Sequence, residues 1–271
     1  MIKILDGKKV RDFLAKKLRE KVLKLNKKPT LVVFQVGDDE RSSVYIKQKK
    51  IFGERIGFDV KYIQLEENVS EREIISKIIE KNFDKNINGI IVQMPLPANL
   101  DSVKIIDTIK PEKDVDGLTS VNIKKFFVND KSAIIPATAR GIISLLDFYK
   151  IKINGKKVVV VGRSLIAGRS IANAFLNRNS TVTVCHSKTK NLKDETKAAD
   201  ILVVAIGKPK FIKKDFVKKG QVVIDVGINK VKNQIYGDVD FENVSKIVSA
   251  ISIVPGGVGP MTVISLFENM L

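Results

Sequence analysis

The sequence predicts an α/β protein with two domains, each built on parallel strands that are connected by helices. Helical and strand patterns alternate along the whole chain of 271 residues, which is typical of βαβ units. The strand-length runs are apolar throughout, and four consecutive valines at 158–161 indicate a strand covered on both faces. The alternation restarts after Pro136, and the length is sufficient for two modest domains.

The first half of the chain carries the signals of one α/β unit. Apolar residues at helical spacing indicate a first helix, at Val10, Phe13, Leu14, Leu18, Val22 and Leu25. Two further helices are predicted over 41–56 and 70–82, and Ser70 and Glu73 form a capping box for the second of them. Strands are predicted at 31–36, 60–63 and 89–94.

The second half has the outline of a Rossmann-type dinucleotide-binding unit. A helix through 144–146 precedes the valine strand, and another helix is predicted from about 168 to 177. Further strands are predicted at 181–185, 201–205 and 222–226. We assign residues 1–136 to an α/β domain and 137–259 to the dinucleotide-binding domain. A last helix within about 260–271 is expected to return to the first domain.

Composition excludes several classes of protein. No apolar run approaches the roughly 20 residues that span a bilayer, and the N-terminus lacks the apolar core of a secretory signal, so we expect a cytoplasmic protein with no membrane partner. The single cysteine, Cys185, fits a reducing compartment. It stands beside the single histidine without the partner spacings of a zinc site, and no metal is expected.

The formal net charge of +18 does not by itself indicate nucleic acid. The lysines are scattered over nearly every predicted helix, and no arginine-rich tail or basic stripe interleaved with aromatic residues is present. We interpret the charge as solvation with a secondary attraction for anionic ligands. A basic nucleic-acid-binding protein is kept as a remote alternative.

The turn after the valine strand predicts a phosphate-binding loop. It reads GRSLIAG at 162–168, where Gly162 matches the first glycine of G-x-G-x-x-G, Ser164 replaces the second and Ala167 the third. Small residues at these positions let a helix N-terminus approach a phosphate. An ordinary strand-to-helix turn is the alternative, but the position between a buried strand and a helix favours a nucleotide site.

The end of the next strand indicates which nucleotide is bound. An acidic residue there would bind the ribose of NAD, whereas basic and hydroxyl groups suit a 2′-phosphate. The segment reads CHSKT at 185–189, and no acid occurs before Asp194. We therefore predict NADP, with Ser187 and Arg163 as phosphate ligands. For His186 and Lys188, a solvated strand end is the alternative.

Tyr45 and Lys49 form a candidate catalytic pair. They are spaced i, i+4, so their side chains are neighbours on a helix. A lysine held beside a phenol and shielded from water could lose its proton near neutral pH and act as a general acid or base. In a lysine-rich chain the same spacing also occurs on solvated faces, so the pair alone does not decide between these readings.

The motifs together closely resemble the bifunctional methylenetetrahydrofolate dehydrogenase/methenyltetrahydrofolate cyclohydrolase family, the FolD family, over essentially the whole chain. The matching segments are SSVYIKQK (42–49), VQMPLP (92–97), KDVDG (113–117), GRS (162–164), TVCHSKT (183–189), VIDVGIN (223–229), GDVD (237–240) and PGGVGPMT (255–262).

This resemblance implies roles for particular residues. Lys49 is the central catalytic residue with Tyr45 beside it, Gln93 hydrogen-bonds the amine, and Asp116 anchors the pterin ring. A carboxylate can accept two hydrogen bonds from an aminopyrimidine edge. Taken singly, Gln93 and Asp116 would be interpreted as a polar strand end and a turn residue.

The resemblance also implies the remaining ligand contacts and the partners. The cofactor contacts are Thr138, Gly162, Arg163, Ser164, Ser187 and Ile228. The substrate contacts beyond the catalytic residues are Pro255, Gly256 and Gly257, for which a ligand-free turn is the alternative. The implied partners are tetrahydrofolate substrates and a second copy of the chain in a homodimer.

The implied reaction is oxidation of 5,10-methylenetetrahydrofolate by NADP, followed by hydrolysis of the methenyl product to 10-formyltetrahydrofolate. Hydride transfer requires orientation, whereas hydrolysis requires proton transfer, for which Lys49 is the candidate. An enzyme of the same family that keeps one activity, or prefers NAD, is the alternative.

Three prolines common in the family are absent here. Ala139 ends the segment that usually reads Pro-Cys-Thr-Pro, whose second residue is Ala137 here, Ser170 stands after the cofactor glycine, and Ile253 precedes the glycine turn. Losing proline frees backbone. We expect effects on domain orientation and cofactor affinity more than on chemistry.

Overall fold

The computed structural model describes residues 2–37, 49–232 and 234–271, and the chain divides into two compact units. The six-stranded unit comprises Met1–Asp12 and Thr138–Ser265, and the three-stranded unit comprises Phe13–Ala137 and Leu266–Leu271. The domains expected from the sequence have other bounds, and residues 1–12, 137 and 260–265 are grouped differently in these units.

The three-stranded unit is built on a parallel sheet. Its strands are β2 (Thr30–Val36), β3 (Asp59–Leu65) and β4 (Ile87–Val92), in the order β3-β2-β4. Every residue of the central strand β2 is buried, as expected for a strand covered on both faces. The three strands predicted for this half of the chain are confirmed.

The helices of this half of the chain precede, connect or follow these strands, and residues 7–12 of the first helix belong to the six-stranded unit. They are α1 (Gly7–Val22), α2 (residues 49–55), α3 (Glu71–Phe83), α4 (Ser102–Asp107) and α5 (Ser120–Phe127). The capping box is confirmed in part, because the Glu73 backbone N–H donates to the Ser70 hydroxyl at 3.2 Å. Residues 41–48 of the predicted second helix lie outside the described residues.

The first predicted helix is confirmed, and the apolar residues that indicate it are buried only in part. Phe13 and Leu25 are 44% and 45% exposed, whereas Val10, Leu18 and Val22 are buried. Helix α1 ends at Val22, so Leu25 no longer follows the helical spacing that aligned it with the others.

The six-stranded unit is a second, larger parallel sheet. Its strands are β1 (Lys3–Leu5), β5 (Lys157–Val161), β6 (Thr181–Cys185), β7 (Ile201–Val204), β8 (Val222–Asp225) and β11 (Ala250–Ser252). They follow the order β1-β11-β8-β7-β5-β6, and every neighbouring pair is parallel. The strands predicted from the second half are confirmed.

Strand β1 explains why the first twelve residues belong to this unit. It pairs in parallel with β11, with Lys3 opposite Ala250 and Leu5 opposite Ser252. Both strands contain three residues, which is too short for a periodic pattern to be recognised in the sequence. This pairing places Lys3–Leu5 in the larger sheet.

The remaining elements lie mainly in the six-stranded unit, and Ala137 and Leu266–Glu268 at their ends belong to the three-stranded unit. They are helices α6 (Ala137–Phe148), α7 (Ser170–Leu176), α8 (Leu192–Ala198), α9 (Phe241–Val244) and α10 (Val258–Glu268), and the antiparallel hairpin of β9 (Asn229–Val231) and β10 (Gln234–Tyr236). Among the described residues, none of these or the other helices is long and apolar enough to cross a bilayer.

We predict that Gly162→Ala destabilises the fold more than Gly155→Ala does. Both glycines have positive φ, +129° and +73°. A Cβ at Gly162 would lie 2.2 Å from the Ala205 carbonyl oxygen, whereas none of the neighbouring atoms lies within 4 Å of a Cβ at Gly155. Positive φ costs alanine about 1–2 kcal/mol, and overpacking adds roughly 1–3 kcal/mol. Urea unfolding of the two variants checks this, and equal losses would contradict it.

Candidate active site

A buried lysine lies in the three-stranded unit. Lys49 is the first described residue of α2 and is only 8% exposed. Its Nζ donates a hydrogen bond of 2.8 Å to Oε1 of Gln93, which follows the end of β4. A buried amine needs such partners, because an unpaired charge in the interior costs several kcal/mol or more.

The orientation of the Gln93 amide is fixed from its other side. Its Nε2 donates to the Met94 carbonyl oxygen at 2.8 Å, so its Oε1 is directed at Lys49. The amide oxygen accepts from the amine without carrying a charge. Gln93 therefore orients Lys49 and does not add the Coulombic attraction with which a carboxylate would hold the amine protonated.

Burial and the charge of the partner shift the pKa of Lys49 in opposite directions, and the same is true of the pKa of Asp116. Burial lowers the pKa of Lys49 below its ordinary 10.5, and the nearby Asp116 carboxylate partly offsets this. Burial raises the pKa of Asp116 to about 6, the Lys49 ammonium lowers it, and the charge of Asp114 raises it further. The site therefore brings the pKa of the amine and the pKa of the carboxyl closer to 7 than either would be in water.

Asp116 is held in its turn by Asp114, which the sequence reasoning quoted in a motif without giving it a role. The buried Asp114 carboxylate accepts backbone N–H bonds of 2.8–3.1 Å from Gly117, Leu118 and Thr119. It also accepts from Nδ2 of Asn122 at 2.8 Å. The sequence offers only the residue type as a signal, because aspartate is favoured where a side chain organises a turn. The N–H groups from which it accepts are seen only in the folded structure.

Tyr45, the predicted partner of Lys49, lies outside the described residues. Of the four predicted catalytic residues, Lys49, Gln93 and Asp116 come together in one unit. The role of Tyr45 stays a prediction.

The predicted cofactor loop lies at the point where the larger sheet changes direction. The chain passes from β5 to β6 on one side and then to β7 on the other. Ligands of open parallel sheets bind at such switch points, beyond the carboxyl ends of the strands. Predicted contacts follow directly after three strand ends: Gly162, Arg163 and Ser164 after β5, Ser187 after β6, and Ile228 after β8.

The loop after β5 requires glycine and departs from a regular helix start. A Cβ at Gly168 would lie 2.2 Å from the Gly162 carbonyl oxygen. Residues Leu165–Arg169 form a π-helical turn, so α7 begins at Ser170 and not at the predicted 168. The Ser170 hydroxyl donates to the Leu165 carbonyl oxygen at 2.7 Å. A proline at 170 would lack this bond, so the serine has its own structural use in this chain.

The end of β6 is a turn organised by His186. Its backbone N–H donates to Oγ1 of Thr189 at 2.8 Å, and its Nδ1 accepts from the Lys188 backbone N–H at 3.1 Å. His186 therefore has a structural role in the turn. This role differs from the two interpretations considered from the sequence, a phosphate contact and a solvated strand end. Ser187 and Lys188 are exposed.

The other predicted contacts also lie in the six-stranded unit. Thr138 is in the first turn of α6, where its Oγ1 lies 3.4 Å from Oγ1 of Thr262. The Gly256 carbonyl oxygen accepts from the Lys8 N–H at 3.1 Å, and a Cβ at Gly7 would lie 1.8 Å from the Gly257 carbonyl oxygen. This close approach requires glycine at position 7, while Gly256 itself has a φ of +115° and a Cβ at Gly257 would lie 2.4 Å from the Ile253 carbonyl oxygen. Pro255, which precedes the turn, is exposed.

Two buried carboxylates that sequence reasoning left without a role support this edge of the sheet. Asp238 accepts from the backbone N–H groups of residues 206, 207 and 208 at 2.7–3.0 Å, and from Nδ2 of Asn229 at 2.9 Å. Asp225 accepts from the N–H groups of Gly227, Asp238 and Val239. Burial raises the pKa of Asp225 to about 7, against these hydrogen bonds.

The fold and the site define a class: a two-unit α/β enzyme with a buried lysine centre in one unit and a Rossmann-type nucleotide-binding edge in the other. The chain belongs to the tetrahydrofolate dehydrogenase/cyclohydrolase family. The catalytic domain of that family matches residues 5–116, and its NAD(P)-binding domain matches residues 136–271. The resemblance inferred from the motifs is confirmed.

Individual relatives match over nearly the full length. A bifunctional protein FolD of Acholeplasma laidlawii is 49% identical over 267 residues, which cover 98% of this chain and 96% of the relative. The crystal structure of the bifunctional FolD enzyme of Campylobacter jejuni is 40% identical with a TM-score of 0.97, covering 100% of this chain and 97% of that one. The Trypanosoma brucei enzyme, in complex with NADP and an inhibitor, is 34% identical with a TM-score of 0.95, covering 99% and 96%.

We predict that Gln93→Glu raises the pKa of Lys49, because a carboxylate in place of the amide favours the ammonium. Titration of ¹³C-labelled lysine by NMR checks this, with the Lys49 resonance assigned by its absence in Lys49→Met. Gln64→Glu, at an exposed position of β3, adds the same charge elsewhere and serves as the control. A Lys49 pKa that is unchanged or lower in Gln93→Glu would contradict the described contact.

Proposed function

We propose that this protein oxidises 5,10-methylenetetrahydrofolate with NADP and hydrolyses the resulting 5,10-methenyltetrahydrofolate to 10-formyltetrahydrofolate, with Lys49 as the general acid and base. The observation that carries this proposal is the buried Lys49 amine, hydrogen-bonded to Gln93 at 2.8 Å and electrostatically coupled to Asp116. Membership of the dehydrogenase/cyclohydrolase family supports both activities.

Lys49 supplies the proton transfers of the hydrolysis. Water adds through its oxygen to the methenyl carbon, and the neutral amine accepts a proton from it. The bond from that carbon to one ring nitrogen then breaks as the ammonium returns a proton to the nitrogen, and the second proton of water leaves to solvent. Because burial lowers the pKa of Lys49, more of the amine is neutral at cellular pH than in an exposed lysine.

Asp116 holds the substrate. Above about pH 6 its carboxyl is ionised and can accept two hydrogen bonds from the aminopyrimidine edge of the pterin. The same charge raises the pKa of Lys49. Tyr45, Pro255, Gly256 and Gly257 complete the proposed substrate contacts.

The residues at the edge of the larger sheet fit NADP. The segment from 162 to 193 contains neither Asp nor Glu, and Arg163, Ser187 and Lys188 are exposed at the ends of β5 and β6. These groups suit a 2′-phosphate, whereas NAD binding typically uses an acid at this position. Bound NADP accepts a hydride from the methylene carbon. Thr138, Gly162, Ser164 and Ile228 complete the proposed cofactor contacts.

Three further parts of the proposal rest on the family resemblance and composition. The chain forms a homodimer, it is located in the cytoplasm, and the domain boundary lies near residue 136. A single buried cysteine, Cys185, is consistent with a reducing compartment. An enzyme with dehydrogenase activity alone is less well supported, since Lys49, Gln93 and Asp116 are all present in one cluster.

We predict that Lys49→Met lowers catalysed hydrolysis of methenyltetrahydrofolate by about 100- to 10,000-fold, the usual contribution of a general acid or base. Binding of NADP should be unchanged, because the nucleotide contacts lie in the other unit. Loss of methenyl absorbance measures hydrolysis, and calorimetry measures NADP binding.

Lys50→Met is the matched control for this prediction. Lys50 is the next residue of α2 and is exposed, so the same substitution there should leave hydrolysis within twofold of the natural protein. Undiminished hydrolysis in Lys49→Met would remove Lys49 from its role, and equal losses in both variants would indicate damage to the helix.

A further inference from the structure

The C-terminal segment Leu266–Leu271 belongs to the three-stranded unit, where its side chains contact the elements that carry the catalytic residues. Phe267 is fully buried, and its ring centroid lies 4.9 Å from that of Phe58 and 5.9 Å from that of Phe52. Aromatic pairs at this separation attract beyond their buried area. Phe52 is in α2, so the segment packs directly on the helix that carries Lys49.

The contact between Phe267 and α2 leaves no spare room. A Cβ at Gly53 would lie 2.8 Å from Cζ of Phe267 and 2.6 Å from Cγ2 of Val60. Gly53 follows Lys49 by four residues, so the two share one side of the helix. Phe267 therefore limits how far this side of α2 can move.

Asn269 contacts the turn that carries Asp116. Its Nδ2 donates two hydrogen bonds, to the Val115 carbonyl oxygen at 2.8 Å and to the Ile135 carbonyl oxygen at 2.9 Å. Val115 directly precedes Asp116. The Asn269 amide thus links the Asp116 turn, through Val115, to the neighbouring segment, through Ile135.

The turn has little freedom between those segments. A Cβ at Gly117 would lie 2.8 Å from the Ile134 carbonyl oxygen, and the Ala137 N–H donates to the Asp116 carbonyl oxygen at 3.2 Å. Asn269 donates to the backbone of both segments that meet here, at Val115 and at Ile135.

Met270 contacts the third element. A Cβ at Gly89 would lie 3.2 Å from Cγ of Met270, and Gly89 is in β4, whose end leads to Gln93. Within four residues, the segment therefore contacts α2, the Asp116 turn and β4, which carry Lys49, Asp116 and Gln93.

We propose that the segment Leu266–Leu271 positions the catalytic cluster, and that Asn269 is the positioning residue for Asp116. This inference rests on the proposed function, because it gives Asp116 the task of binding the pterin. Asn269 itself acts on the substrate only through the Val115–Asp116 backbone. Its loss should weaken folate binding while leaving the nucleotide site as it is.

The test compares Asn269→Leu with Gln221→Leu. Gln221 makes the same kind of contact in the other unit, where its buried Nε2 donates to the carbonyl oxygens of Thr196 and Ala199 at 2.7 and 3.0 Å. The two hydrogen bonds hold the turn and do not touch the substrate, so their loss acts on folate binding by displacing the Asp116 carboxylate. One weakened hydrogen bond to that carboxylate corresponds to about a tenfold change in binding. We expect the KM for methylenetetrahydrofolate to rise about tenfold in Asn269→Leu, with the KM for NADP within twofold. Gln221→Leu should leave the folate KM unchanged.

Hydrogen exchange of residues 114–119 provides a readout that does not depend on activity. Exchange there should accelerate in Asn269→Leu and stay unchanged in Gln221→Leu. Asn269→Ala, which removes the N–H donors without adding charge or bulk, should reproduce the effect if the leucine variant folds poorly. A folate KM that is unchanged, or that rises equally in the Gln221 variant, would overturn the inference.

Failure of the proposed function would be distinguishable from failure of this inference. A natural protein with no activity on folates would overturn the function itself. Unchanged exchange at 114–119 in both Asn269 variants would overturn the positioning role alone, because that measurement reads the turn directly.

Discussion

The account depends on one physical constraint: the Lys49 amine is kept out of water beside a neutral acceptor and an acidic neighbour. Burial lowers the pKa of Lys49, Gln93 fixes its direction without adding charge, and Asp116 limits how far the pKa falls. A lysine in water stays protonated at cellular pH, and a lysine paired with a carboxylate alone would be held protonated still more firmly. The Gln93 amide avoids both outcomes, because it accepts a hydrogen bond from the buried amine without adding a charge that holds the amine protonated.

Much of the fold was predictable because long, strongly apolar strands leave a clear pattern. The valine strand β5 and the fully buried β2 are examples. Strands β1 and β11 were not predicted, since three residues carry no period, and their pairing brings Lys3–Leu5 to the larger sheet. The π-helical turn at 165–169 was also missed. Its hydrogen-bond pattern does not change the spacing of apolar residues, so it can be recognised only in the folded structure.

The site was predictable from motifs and not from local physics. Lys49, Gln93 and Asp116 are separated by tens of residues, and each alone has an ordinary structural interpretation. What the sequence does not encode locally is support from distant chain segments. Asp114, Asp238 and Asn269 act through hydrogen bonds to backbone, and any sequence could accept such bonds. Their roles depend on which strands and turns the fold brings together.

The most direct test follows both reactions in one cuvette over a range of pH, with methylenetetrahydrofolate and either NADP or NAD, and records reduced nucleotide and methenyl absorbance together. The account predicts reduction of NADP in preference to NAD, and methenyl decay faster than in buffer. The catalysed part of that decay should rise with pH through a midpoint below 10.5, the ordinary lysine value. NADPH formation without accelerated decay, or a midpoint at or above 10.5, would contradict it.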